Sequence, residues 1–180
     1  MAKNDPAHES LADSGAAPTP WHQARDRLAN PAPAQTYWLS TVRPDGRPHV
    51  MPVIGLWLDD AFYFISGGST RKGKNLARNP NCVIAVSSTT RPSLDVVLEG
   101  KARRLTDPDE VARVAEAYRS VLGWPLEVRE GELHGPNAPT AGPPPYAVFE
   151  VTPETAFGLP GMAGMNEPPG TLTPTRWRFG

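Results

Sequence analysis

Between Gln35 and Ser66, three β-prone runs follow one another with only tight turns between them. QTYWLSTV, Gln35 to Val42, is rich in β-branched and aromatic residues. Arg43-Pro44-Asp45-Gly46 then places proline early and glycine late, as a turn requires. PHVMPVIGLWL, Pro48 to Leu58, comes next, and Asp59-Asp60 separates it from AFYFIS, Ala61 to Ser66. Parallel strands need a crossover of about a dozen residues or more, and these turns are too short for one. The stretch predicts an antiparallel meander and argues against a βαβ sheet. Alternation puts His49, Met51, Val53, Gly55 and Trp57 on one face of the middle run and Val50, Pro52, Ile54 and Leu56 on the other. Pro52 cannot donate a ladder hydrogen bond, which predicts an edge or a bulge there.

The later elements continue the pattern. CVIAVS, Cys82 to Ser87, is apolar on both faces and reads as a buried strand. LDVVLEGKARRL, Leu94 to Leu105, is a longer strand in which Gly100 predicts a bulge. Asp107, Pro108 and Glu110 form a helix start with a capping box. Val111, Val114, Ala115, Tyr118 and Leu122 make its apolar stripe, and Gly123 ends it. Residues 125–145 show no clear period. YAVFEVTP, Tyr146 to Pro153, is another strand, which TAFGL extends, and TRWRF is a terminal one. A short helix is expected over Trp21 to Leu28. The whole predicts an α+β fold around an antiparallel barrel with two main helices.

Prolines and glycines, 22 and 16 of them in 180 residues, are concentrated towards the two ends. Residues 1–20 are polar and rich in small residues, which predicts a disordered tail before a single domain over 21–180. The tail lacks the apolar core of a signal peptide, and no apolar run approaches membrane-spanning length. A soluble cytoplasmic protein is expected, with no membrane partner. A net charge of −1 gives no argument for nucleic-acid binding. The single cysteine, Cys82, excludes an internal disulfide and a cysteine zinc cluster, and reads as a small core residue. His8, His22 and His134 have no metal-ligand spacing.

GGSTRKGKN, Gly67 to Asn75, matches seven of the eight places of a phosphate-binding P-loop, G-x-x-x-x-G-K-[ST]. The eighth place needs a hydroxyl for Mg²⁺ and holds Asn75 instead. The motif also needs a parallel strand before it and a long helix after it, whereas Asn79-Pro80 stops this helix early. A nucleotide triphosphatase is therefore not expected. The loop still has equipment for one phosphate monoester without a metal. Ser69 and Thr70 offer hydroxyls and a helix cap, and Arg71 and Lys72 offer charge-assisted donors. A solvated basic turn has the same composition.

In order, TVRPDGRPHVMPV, FYFISGGSTRKGKNLARNPNCVIAV and VVLEGKARRLTD resemble the pyridoxamine-phosphate-oxidase-like split β-barrel superfamily, which includes flavin and deazaflavin oxidoreductases. The resemblance covers roughly Gln35 to Leu122, with TRWRF as a further match. It implies a homodimer with two flavin sites at the subunit interface. It implies that His49, Val50, Met51 and Pro52 lie along the isoalloxazine edge, and that Ile65 and Ser66 lie beside the ribityl chain. It assigns the FMN phosphate to Arg71 and Lys72 and the closing of the ring pocket to Trp177. Members often carry glutamine where this chain has Asp95, so Asp95 is left out of the site.

True pyridoxamine-phosphate oxidase ends in an Arg-His-Asp-Arg-type segment, and this chain ends TPTRWRFG. Vitamin B6 oxidation is therefore not expected. The resemblance implies an FMN-dependent oxidoreductase that moves hydride to or from a small molecule, chemistry that the cofactor carries. A reductase using the deazaflavin coenzyme F-420 is the alternative, with Lys74 and Arg78 beginning a groove for its acidic tail. A non-catalytic flavin- or haem-related binding protein is the third reading. The proline-rich loop from Gly158 to Pro174, with Met162 and Met165, is a candidate lid.

Overall fold

The structure is a computed structural model and describes residues 5–12, 15–30, 36–88, 91–161 and 171–180. In chain order the elements are β1 (Ala7–Ser10), α1 (Trp21–Ala29), β2 (Tyr37–Val42), β3 (Pro48–Val53), β4 (Gly55–Leu58) and β5 (Ala61–Gly67). Then come α2 (Arg71–Leu76), β6 (Asn81–Val86), β7 (Leu94–Arg104), α3 (Pro108–Leu122), β8 (Glu127–Arg129), β9 (Glu132–His134), β10 (Tyr146–Pro160) and β11 (Thr175–Arg178). Every pair of named strands is antiparallel. None of the described helices is long and apolar enough to cross a membrane.

The run from Pro48 to Leu58 is two strands, not the single strand of a meander. β3 pairs with β2 while β4 pairs with β5, and Ile54 alone stands between them. One stretch of chain thus supplies both free edges of the series β3-β2-β6-β7-β10-β5-β4. The sheet curls and closes on itself at Ile54, which gives the split barrel. Tyr118 Oη donates to Ile54 O at 2.8 Å and ties the break to α3. Pro52 lies on β3, at the end of the hydrogen-bonded strand order, where its missing N–H is tolerated.

β10 is the central strand. Along one side it pairs with β5 over Tyr146–Val151 and then with β11 over Thr155–Gly158, while β7 runs along the other. The register shifts between Pro153 and Thr155, so the extra residue is Glu154 and the bulge lies in β10. Gly100, where the bulge was expected, is instead the residue facing it. A Cβ there would lie 2.2 Å from Thr152 O, so only glycine permits this approach.

β5 is buried along its whole length because it separates two cores. Phe62 and Phe64 enter the barrel with Leu39, Ile84 and Leu98, whereas Tyr63 and Ile65 pack with Val111, Val114 and Tyr118 of α3. Cys82 is buried in the barrel core, and burial pushes its thiol up to about 12, as expected for an inert core residue. The α3 start is as read, with Asp107 accepting from the amides of Asp109 and Glu110 at 3.0 Å each. The reciprocal half of the capping box does not form, because Arg103 takes the Glu110 carboxylate at 3.0 Å. Leu122 is 37% exposed and leaves the stripe.

Among the described residues of 1–20, expected as a disordered tail, some join the sheet. β1 pairs with β11, Glu9 forms an ion pair with Arg176, and Thr19 is buried against Thr173 and Thr175. Backbone pairing to a free strand edge needs no apolar side chains, so a polar segment can join the sheet. Gly158 to Pro160 belong to β10, and Met162 and Met165 lie outside the described residues.

Candidate cofactor site

The loop from Ser66 to Thr70 leaves the end of β5 and turns into α2. Thr70 caps that short helix, with Oγ1 accepting from Gly73 N at 3.2 Å, and Ser66 Oγ lies 2.6 Å from the same oxygen. Ser69 and Arg71 are exposed. Arg71 has no hydrogen-bond or ion-pair partner among the described residues. Lys72 differs from its neighbour. It is 3% exposed, and its Nζ donates to Thr140 O. Burial lowers its pKa, since desolvation disfavours the ammonium. Gly67 N also donates to Ala141 O, at 2.7 Å, so the segment after β9 straps the loop in place.

Asn75 joins α2 to β2. It is 1% exposed, and its Nδ2 donates to Thr41 Oγ1 at 2.9 Å. Thr41 in turn donates to His49 O at 3.3 Å, and its Oγ1 lies 3.5 Å from His49 Nδ1. The His49 pKa is lowered, first by desolvation and then by the positive charges of Arg43, Lys72 and Arg71. Two buried polar atoms here lack partners among the described residues: Asn75 Oδ1, an acceptor, and Arg43 Nε, a donor. Buried atoms of this kind are rare in folded proteins and mark places where a ligand or water belongs.

The structure therefore brings together His49, Ser66, Thr70, Arg71 and Lys72, with Val50, Met51 and Pro52 continuing along the edge strand. Val50 and Met51 are 50% and 38% exposed. Two expected residues stand apart. Ile65 points into the α3 core. Trp177 is wholly buried, its ring set 5.4 Å from Trp21 and its Nε1 donating to Thr19 O. Thr41, Arg43, Asn75 and Thr140 were not singled out from sequence. Asp95 accepts from Ser88 N at 2.9 Å within the chain. Among the described residues, no group of three or more His, Cys, Asp or Glu could hold a metal ion.

A sequence profile of the family described as pyridoxamine 5'-phosphate oxidase matches residues 23–159. The chain belongs to this family. No curated protein matches it in sequence. Solved structures share the fold. Conserved hypothetical protein Rv2991 from Mycobacterium tuberculosis is 16% identical, with a TM-score of 0.61 over 86% of this chain and 91% of that one. A protein described as an F420 reductase is 21% identical, with a TM-score of 0.54 over 73% and 94%. A heme binding protein from Mycobacterium smegmatis is 19% identical, with a TM-score of 0.53 over 77% and 53%. Identities this low speak for the split barrel and not for a shared ligand.

Proposed function

We propose that this family member binds FMN as a homodimer and transfers hydride to or from a small molecule. The observation that supports this best is Arg71. It is an exposed guanidinium, unpartnered among the described residues, beside the Thr70 cap and within electrostatic reach of His49. A phosphate monoester supplies the acceptors that Arg71 and the buried Arg43 Nε lack, and a hydroxylated chain supplies a donor for a group such as Asn75 Oδ1. The residues present thus fit a flavin phosphate and its ribityl chain.

When bound, the flavin supplies the hydride chemistry. The chain's own residues bind and orient. Arg71 would hold the phosphate, Ser66 the ribityl chain, and the β3 backbone from His49 to Pro52 the polar edge of the ring. Val50 and Met51 offer apolar cover. The second copy covers the other side. An outward apolar row favours this: Pro52, Trp38, Ala85, Val97 and Phe157 are successive cross-strand partners over five strands, and none is fully buried.

The test compares FMN with riboflavin. Arg71→Ala should weaken FMN binding by about 10- to 100-fold, the worth of a charge-assisted pair, and leave riboflavin binding unchanged. Equal losses for both ligands would overturn the phosphate assignment. Bound flavin that no reductant bleaches would overturn the enzymatic half of the reading. A deazaflavin reductase is the second reading, supported by Lys74. This lysine has no ion-pair partner among the described residues and borders a cavity of about 240 Å³ with Arg104. Tighter binding of the deazaflavin than of FMN decides for it.

A further inference from the structure

We propose that Arg43, His49 and Arg71 form one anion-binding cluster in which phosphate binding and protonation of His49 favour each other. The inference rests on the reading above for the place of the phosphate. It couples that phosphate to a proton on His49.

The geometry converges on Thr41. His49 is its cross-strand partner, and Thr41 Oγ1 contacts both the His49 carbonyl and Nδ1. Arg43 follows the end of β2, two residues beyond Thr41; its N donates to Arg47 O at 2.9 Å in the turn, and its charge is within electrostatic reach of His49. Asn75 reaches Thr41 from α2, and Arg71 precedes Asn75 by one helical turn on the same face. The Thr41 hydroxyl thus links His49 to α2, and the charges of Arg43 and Arg71 both reach the His49 imidazole.

The charges there are not compensated inside the protein. Among the described residues no carboxylate pairs with Arg43, Arg71 or Lys72. Asp45 is within electrostatic reach of Arg43, but its carboxylate is bound to Arg47 at 2.7 Å. Lys72, the remaining cation, is held by Thr140 O. Arg43 also has its Nε buried without an acceptor. A cluster of like charges with an orphaned donor is stabilised by an anion.

His49 reports on that anion. Desolvation first, and then the charges of Arg43, Lys72 and Arg71, oppose its protonation, and Thr41 and Asn75 contribute no charge. An anion seated between Arg43 and Arg71 cancels much of that field and adds an attractive charge, so the imidazole takes up a proton. By reciprocity the anion then binds more tightly at low pH, where His49 is already charged.

Sulfate is the probe, because it stays a dianion where imidazole titrates. The full chain is titrated with sulfate against a chloride control of equal ionic strength, and the His49 ring resonances are followed by NMR across pH. Saturating sulfate should raise the His49 midpoint by about one unit, as an opposite charge at close range does. Sulfate affinity should then be about tenfold higher below both midpoints than above them. His49→Gln should abolish that pH dependence, and Arg43→Gln should weaken sulfate at every pH. A midpoint unmoved by sulfate overturns the proposal, as does tenfold pH dependence surviving in His49→Gln or unchanged affinity in Arg43→Gln. If sulfate moves His49 but FMN does not bind, the cluster stands and the flavin reading falls. If FMN binds and neither FMN nor sulfate moves His49, the flavin reading stands and this one falls.

Discussion

Arg71 and Lys72 are neighbours in sequence and opposites in structure. One is exposed and unpartnered, and the other is 3% exposed with its ammonium on Thr140 O. Lys72→Met keeps the length and apolar stem of the side chain and removes a buried charge. The change relieves the desolvation of the ammonium and takes one donor from Thr140 O, opposing effects of about 1 kcal/mol each. FMN affinity is predicted to stay within about threefold of the parent, a difference under about 0.7 kcal/mol, in contrast to Arg71→Ala. A loss as large as that of Arg71→Ala, measured by flavin fluorescence titration, would show that Lys72 leaves Thr140 to join the phosphate. Composition and spacing brought out the basic pair and could not divide it. The division comes from Thr140, in a segment 68 residues away with no readable period. Asn75 was equally opaque. As a letter it was a misfit in a P-loop, and as a side chain it is a buried link between α2 and β2.

Elements whose signals are local were the readable ones. α3 carries its own start and stop, and the structure places them where the residues predict, at Asp107 and at Gly123 with a φ of 64°. The hairpin of β8 and β9 was not readable. Its turn, Glu130-Gly131, has φ of 52° and 76°. The mirror-type hairpin turn favours Asn or Asp at the first of these positions, so glutamate hides the signal. β1 was missed because its pairing comes from the β11 edge and not from its own side chains. At Gly100 the glycine signal was real, but it marked close approach by the neighbouring strand. Gly100→Ala is predicted to destabilise the fold by about 2–3 kcal/mol, because Thr152 O and Pro153 Cα are backbone atoms that cannot rotate away. Denaturant unfolding should show a lower midpoint with an unchanged m-value. A midpoint equal to the parent's would mean that β7 and β10 separate at the bulge without strain.

At the scale of the whole molecule, the short turns between runs carried the antiparallel class, and the closure at Ile54 was not visible because it depends on which edges meet. The barrel leaves one face unexplained by its own packing. β6 is apolar on both sides, yet only Cys82, Ile84 and Val86 are buried, while Val83 and Ala85 remain partly exposed. Trp38, at 46% exposure, lies between Pro52 and Ala85 in the outward row. A face of this composition is satisfied by a second copy of itself, since a two-fold interface applies the same patch twice. Trp38→Glu is predicted to leave the monomer fold intact, because the ring contributes little to either core. In the proposed dimer the substitution removes an aromatic anchor and buries a carboxylate in the interface. Loss of a central tryptophan costs about 2 kcal/mol or more, over thirtyfold in the dimer dissociation constant. Sedimentation across a concentration series should show a dimer for the parent and a monomer for the variant, with matching far-ultraviolet spectra. In the proposed dimer the second copy covers one side of the ring, so FMN affinity should fall with dimerisation. A variant that stays dimeric rules out this face as the interface. A monomeric variant that binds FMN as tightly as the parent would separate the cofactor site from the partner subunit.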